Sequence, residues 1–226
     1  MCRKREWAIG SARFVKGIYL KHPVLLVQSG IGRRNIHRAL SNLPDDRAIA
    51  AAINIGCTGA LVPEMKVAHL NIPQEIRLHP QGSVETVPEA MFVHARSAAG
   101  AFGTAKVHFR PSATVAGAFD PEQKRALRLK APDIGCVDLE SYHFARFFAQ
   151  RGIPSLVARG VSDTYDAVLP PVSWCDPSCW KRWHRMGVPS GKLLGAIRFH
   201  LAVLMACWIN RRFVDQLLYS MPRYGG

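Results

Sequence analysis

Long apolar runs are missing from this chain. No stretch reaches the roughly 18 consecutive apolar residues that a spanning helix needs. The nearest, residues 201–209, has Arg198 and His200 just before it. The opening residues, MCRKREWAIG, carry no apolar core of a secretory leader. The cysteines Cys2, Cys57, Cys136, Cys175, Cys179 and Cys207 are therefore expected to be reduced cytoplasmic thiols, not a disulfide framework. Gly and Pro follow no period, which excludes a collagen-like or low-complexity chain. Acids are scarce: 16 against 30 Lys and Arg leave a formal charge of +14. Such an excess suits nucleic acid, an anionic membrane surface or a phosphate-bearing substrate, or reflects a basic proteome. The charge is dispersed, with Arg3-Lys4-Arg5 as a run and Arg211-Arg212 as a pair. Zinc-finger spacing, RNP-like aromatics and a basic zipper are all absent, so nucleic acid is not the expected partner.

What is present suffices for a packed core. Apolar residues make up 48% of 226, a length that suits one domain or one domain with an appendage. Val24-Leu25-Leu26-Val27, ended by Ser29-Gly30-Ile31-Gly32, reads as a buried strand feeding a helix over residues 33–43. A second strand is expected over 48–55, closed by a turn at Gly56-Cys57-Thr58-Gly59, with shorter strands over 66–72, 74–79 and 104–109. Helical spacing covers 88–99. Asp120-Pro121-Glu122 opens another helix, with a capping Asp and Pro in the first turn. A short strand over 134–137 precedes a helix over 138–151, on which Glu140, His143, Phe144 and Phe147 share a face. A buried strand over 154–161 ends at Ser162-Asp163. Strands alternating with helices imply an α/β domain with a mixed or parallel sheet. Beyond Pro170-Pro171 the character changes to a Trp-rich stretch and a long apolar helix over 192–218. The expected division is an α/β domain over 1–171 and a basic helical extension over 172–226.

Ligands of open α/β sheets bind beyond the carboxyl ends of strands. Three such loops are expected here: Ser29-Gly30-Ile31-Gly32, Asn54 to Gly59, and Ser162 to Asp166, with the helix start at Asp138-Leu139-Glu140 as a fourth candidate. None is specific alone. A GxG turn is commonly only a tight turn, and an acid in a first turn is favoured by the helix dipole.

Together they carry more. The segments VLLVQSGIGRRN (24–35), INIGCTGALVPEMKVAHL (53–70) and GCVDLESYHFARFFAQRGIPSLVARGVSDTYD (135–166) follow in order. In them the chain resembles the nucleoside phosphorylase/nucleosidase family, which includes purine nucleoside phosphorylases and methylthioadenosine/S-adenosylhomocysteine nucleosidases. The resemblance implies a three-layer α/β fold with a central mixed sheet flanked by helices, here starting after the family's usual first strand. It implies cleavage of a purine N-glycosidic bond. Glu140 matches the acid on the ribose 2′- and 3′-hydroxyls, and Asp163 matches the acid that serves the base, a partly buried general acid. Leu139 stands for the usual Met beneath the sugar. Ile31, Cys57, Arg159 and Ser162 would line the substrate site. Gly30, Gly32, Asn54, Gly56 and Gly59 would form a phosphate-or-water loop. Asn54 replaces an Arg of many phosphorylases, which leans towards hydrolysis. Val67-Ala68-His69 stands where the family has Gly-Asp, a turn expected to be lost. No cofactor is expected, inorganic phosphate being the co-substrate of phosphorolysis alone, and self-association follows by analogy.

The segments VAGAFDPEQKRAL (115–127) and SDTYDAVLPP (162–171), with the basic apolar tail, resemble a narrower group, the hopanoid-associated phosphorylases. That resemblance implies adenine release from adenosylhopane. Leu193, Leu194, Ile197, Leu201, Leu204 and Trp208, with Lys192, Arg198, Arg211 and Arg212, would let residues 192–218 lie on the inner face of a membrane. The alternative is a helix packed on the sheet or on another subunit. A soluble methylthioadenosine/S-adenosylhomocysteine-type substrate and an inactive nucleoside-binding homologue also stay open. Cys175, Cys179 and His184 lack a fourth ligand, so no metal is expected.

Overall fold

The computed structural model describes residues 2–44, 49–103, 106–169 and 190–221. The Cys175, Cys179 and His184 group lies outside them. Eight strands form a mixed sheet in the order β7-β6-β9-β10-β4-β11-β5-β8. They are β4 (Ala52–Ala60), β5 (Leu70–Asn71), β6 (Glu75–Leu78), β7 (Ser83–Thr86), β8 (Val107–His108), β9 (Ser112–Thr114), β10 (Cys136–Asp138) and β11 (Ser155–Asp163). Strand β11 lies between β4, to which it is parallel, and β5, and is buried along its whole length. Covered on both faces, it is apolar except at Ser155, Arg159, Ser162 and Asp163, which is why 154–161 reads as a buried strand.

Helices cover this sheet: α1 (Arg33–Ser41), α2 (Glu89–Ala99), α3 (Pro121–Lys130), α4 (Ser141–Ala149) and α5 (Ser190–Ser220). Asp120 caps α3 as its sequence suggests, in a capping box with Gln123. Successive strand residues point to opposite faces. On β11, Arg159 reaches Ser141 of α4, whereas an added Cβ on Gly160 would collide with the backbone of Ala206 on α5. Helices α4 and α5 therefore lie on opposite sides of the strand, and the three-layer expectation holds. Ile209, Phe213 and Leu217 of α5 belong to the main core cluster.

A separate antiparallel sheet of β1 (Cys2–Ile9), β2 (Ala12–Tyr19) and β3 (His22–Gln28) precedes it. The sequence reading found only β3. β2 does alternate, with Ala12, Phe14 and Val15 buried beside the exposed Arg13 and Lys16, but these few apolar residues set among basic ones form no run like Val24 to Val27. Phe14 and Ala12 pack on Ala39 of α1, and Tyr19 donates a 2.5 Å hydrogen bond to Asp215 of α5. This sheet thus fixes α1, whose N-terminus enters the site.

Two expected loops are strand. Gly56, Cys57, Thr58 and Gly59 continue β4, and Ser162 and Asp163 end β11. Turn-like composition misled there, because the glycines answer to neighbouring side chains and not to a bend. The 66–69 turn, expected to be lost, is present: the His69 N–H donates to the Lys66 carbonyl at 2.9 Å, with Ala68 at φ 64°.

Candidate active site

Strand β10 carries Asp138 to the start of α4. Its Oδ1 accepts from the backbone N–H groups of Glu140 (2.9 Å) and Ser141 (2.8 Å) and from Thr114 Oγ1 (3.1 Å). Its Oδ2 accepts from the Ser141 hydroxyl and lies 3.3 Å from Arg159 Nε. Asp138 thus serves the orphan donors of the helix, work that Glu140, at the N-cap position, leaves undone. Glu140 turns outward instead. Its Oε1 accepts from the Gly32 N–H at 2.5 Å, at the start of α1 where the dipole favours an anion, and Oε2 is 3.9 Å from Arg159 Nη2. Burial pushes the Glu140 carboxyl above its ordinary range, and Arg159 opposes that rise.

Arg159 is the hub, with its side chain only 3% exposed. Nε donates to Ser141 Oγ at 2.9 Å, while Nη2 has no hydrogen-bond partner among the described residues. Gly56, its partner across β4, makes room: a Cβ there would collide with Nη1.

Four residues on, the surroundings change. A regular strand would put Asp163 on the face of Arg159. A bulge between Val161 and Asp163 shifts the register, so that Asp163 pairs with Gly59 and is re-aimed. Asp163 Oδ2 meets Lys124 Nζ of α3 at 2.5 Å, and Oδ1 accepts from Ser162 Oγ at 2.9 Å. The pair is buried, with side chains 1% and 8% exposed for Lys124 and Asp163. Gly59 is again the space-maker, since a Cβ there would stand 2.6 Å from Asp163 Oδ2 and 3.2 Å from Lys124 Nζ.

Cys57 joins the two ends. It feels the charges of both Arg159 and Asp163, and its thiol hydrogen-bonds Cys207 of α5. That bond, then burial, pushes Cys57 above the ordinary thiol range, and as its acceptor Cys207 is lowered to about 6.

A model of the phosphorylase superfamily matches residues 2–170. The chain belongs to that superfamily. It is 25% identical over 172 residues to the 5′-methylthioadenosine/S-adenosylhomocysteine nucleosidase of Shewanella denitrificans, covering 69% of this chain and 74% of that one. The same-named protein of Geobacillus kaustophilus is 26% identical over 174 residues, covering 70% and 74%. Among solved structures, the Neisseria meningitidis nucleosidase in complex with methylthio-immucillin-A superposes with a TM-score of 0.77, at 19% identity, over 98% of this chain and 91% of that one. Futalosine hydrolase of Helicobacter pylori gives 0.75 at 16% identity, over 96% and 88%.

In this candidate site, the expected residues fall into unequal groups. Glu140, Arg159 and Gly32 come together at one end, and Asp163, Ser162 and Gly59 at the other. Gly30 and Gly32 form a true turn, both at positive φ (84° and 90°), and Ile31 between them is 65% exposed. Leu139 packs against the cluster containing Leu61, Val115 and Leu127. Asn54 is a half-buried β4 residue opposite Val157, away from any loop. His143 lies beside His37, ring centroids 4.9 Å apart, and burial with neighbouring His37 and Arg33 lowers it to about 4. Sequence reasoning placed Asp138 in the helix-start candidate but gave it no role of its own, and it missed Ser141 and Lys124 as site residues. A signal for Lys124 existed: it shares the inward face of α3 with Leu127, three residues on.

Proposed function

We propose that this chain cleaves the N-glycosidic bond of an adenosine-type nucleoside, with water as nucleophile. The observation that carries the reading is a pair of acids held at either end of one strand region. Glu140 sits on a helix N-terminus beside a half-satisfied arginine, and Asp163 is buried against a lysine. As the bond breaks, the sugar turns cationic and the purine leaves with the electron pair. Glu140 accepts from the ribose hydroxyls, and its charge favours the cationic sugar. Asp163 gives a proton to the purine nitrogen, which makes the base a better leaving group.

Water is favoured over phosphate by charge. At the ribose end, two carboxylates, Asp138 and Glu140, share one guanidinium, which leaves an excess of negative charge against an anionic nucleophile. The expected phosphate loop is strand at Asn54 and Gly56, which supports the same choice.

The substrate we favour is adenosine carried on a hopanoid. Support comes from α5, where Leu201, Leu204, Met205 and Trp208 are exposed along one helix that also carries Arg198, Arg211 and Arg212. Such a surface suits lying on an anionic bilayer; no described helix is long and apolar enough to cross one. The names of the relatives support a second reading, a soluble methylthioadenosine or S-adenosylhomocysteine substrate.

Adenine release from adenosylhopane, methylthioadenosine and S-adenosylhomocysteine, each with and without phosphate, separates these readings. Release without phosphate, fastest from the hopanoid, is the expected result. Asp163→Asn lowers turnover about 10²–10⁴-fold, the usual worth of a general acid, while adenine binding survives. Turnover that ignores the substitution removes Asp163 from the chemistry.

A further inference from the structure

We infer that Lys124 is the positioning residue that makes Asp163 a directional acid. The assignment rests on the cleavage reading above and adds to it a residue on another element, α3. Lys124 Nζ touches Asp163 Oδ2 at 2.5 Å and the Thr164 carbonyl at 2.8 Å, with its side chain sealed from solvent. An ammonium has donors only. Oδ2 must therefore remain an acceptor, and a proton carried by Asp163 sits on Oδ1.

The surroundings of Oδ1 fit that asymmetry. Its neighbour is the Ser162 hydroxyl at 2.9 Å, and this hydroxyl has a second acceptor, the Thr58 carbonyl, at 3.3 Å. When Asp163 is ionised, Ser162 donates to Oδ1. When Oδ1 is protonated, Ser162 turns its hydrogen to Thr58. The serine thus accommodates both protonation states with no buried donor stranded, whereas Lys124 serves only one role throughout.

The consequence for the reaction follows from charge. As the glycosidic bond breaks, its electron pair goes to the purine, and the proton moves from Oδ1 to the purine nitrogen. Asp163 is left as a carboxylate with a cation at hydrogen-bond distance. In a dry site such a contact favours the ionised product of the transfer over the protonated start. Lys124 therefore strengthens the acid at the step where the proton must leave it. Binding of the nucleoside itself gains little, since the ammonium faces the carboxylate and the Thr164 carbonyl.

The test is adenine release by the full chain and by Lys124→Gln and Lys124→Arg. Glutamine keeps an amide donor but removes the charge. Lys124→Gln is expected to lower kcat at least about tenfold, a part of general-acid catalysis, with KM within a factor of about three. Lys124→Arg keeps a cation and restores most of that kcat, with some rate lost to crowding against Gly59. A folded Lys124→Gln enzyme with the parental kcat overturns the assignment, and so does a Lys124→Arg enzyme whose kcat falls as far as that of Lys124→Gln. If Lys124→Gln fails to fold, Lys124→Met, which also removes the charge, is read in the same way. Absence of adenine release by the unaltered chain is a different failure, and it falls on the cleavage reading instead.

Discussion

Arg159 and Asp163 stand four residues apart on β11 and live under opposite electrostatic conditions. Around Arg159, one guanidinium serves two carboxylates, Asp138 and Glu140, and its Nη2, 3.9 Å from Glu140, is left without a hydrogen-bond partner among the described residues. Around Asp163, one carboxylate has one ammonium. The first end keeps an excess negative charge and an unspent donor. The second is balanced, with its acceptors assigned. A cationic sugar needs the first condition, and a proton passed to a departing base needs the second. The bulge between Val161 and Asp163 separates the two environments on a single strand.

The severest way to break this contrast is to remove the hub. Arg159→Met leaves Asp138 and Glu140 without their cation, in a place where Asp138 is almost fully buried. The expected loss is about 3–5 kcal/mol, as for other buried pairs that lose one member. Denaturant unfolding reads it directly. A variant as stable as the parent would show that the α4 donors alone suffice for Asp138.

Glu140→Gln tests the excess charge while sparing the scaffold. Turnover should fall about 10²–10³-fold, the range for losing one preorganised electrostatic contact. The parent enzyme carries a pH signature of the same group. Burial raises Glu140, and the proposed mechanism uses its ionised form. Activity should therefore fall with decreasing pH through a value above the ordinary carboxylate range, and Glu140→Gln should lack that limb. A parent acid limb at ordinary carboxylate values would mean that the Glu140 environment is wetter than its burial implies.

The glycines opposite these charges offer a milder comparison. Gly56→Ala crowds Arg159, and Gly59→Ala crowds Asp163 and Lys124. Each should cost about 1–3 kcal/mol, as overpacking does. Their kinetic effects should differ. The first disturbs the proposed ribose clamp, so KM should suffer, and the second disturbs the proposed acid, so kcat should suffer. The same split between kcat and KM in the two would argue that the ends are not separate.

These glycines also mark the limit of what the sequence discloses. Buried strands such as 154–161 were legible because a strand covered on both faces is mostly apolar, even with Arg159 in it. The cap at Asp120 was legible because its partners are three residues away. Gly56 and Gly59 read as a turn because the residues that require them, Arg159 and Asp163, lie about a hundred positions downstream. Lys124 drew no notice for the same reason: its partner is 39 residues away on a strand. Glu140 and Asp163 were found through their motif, whereas Asp138, which frees Glu140 from capping, shows its part only once the α4 N-terminus is built.

The smallest expected effect concerns the bulge itself. Ala68 N–H donates to the Val161 carbonyl at 3.0 Å, and Val161 N–H donates to the His69 carbonyl at 2.8 Å, so the 66–69 turn grips the strand just before it shifts register. Ala68 holds φ at 64°, a left-handed conformation that a Cβ disfavours by about 1–2 kcal/mol. Glycine relieves that strain and gives back part of the gain through its freer unfolded chain, about 0.5–1 kcal/mol. Ala68→Gly is therefore expected to stabilise the protein by about 0.5–1 kcal/mol, read as a higher denaturation midpoint. Because the grip is unchanged, turnover should not change. A midpoint that falls would mean that the half-buried methyl group packs well enough to outweigh its strain, and that the turn is tuned for contact with β11 more than for backbone comfort.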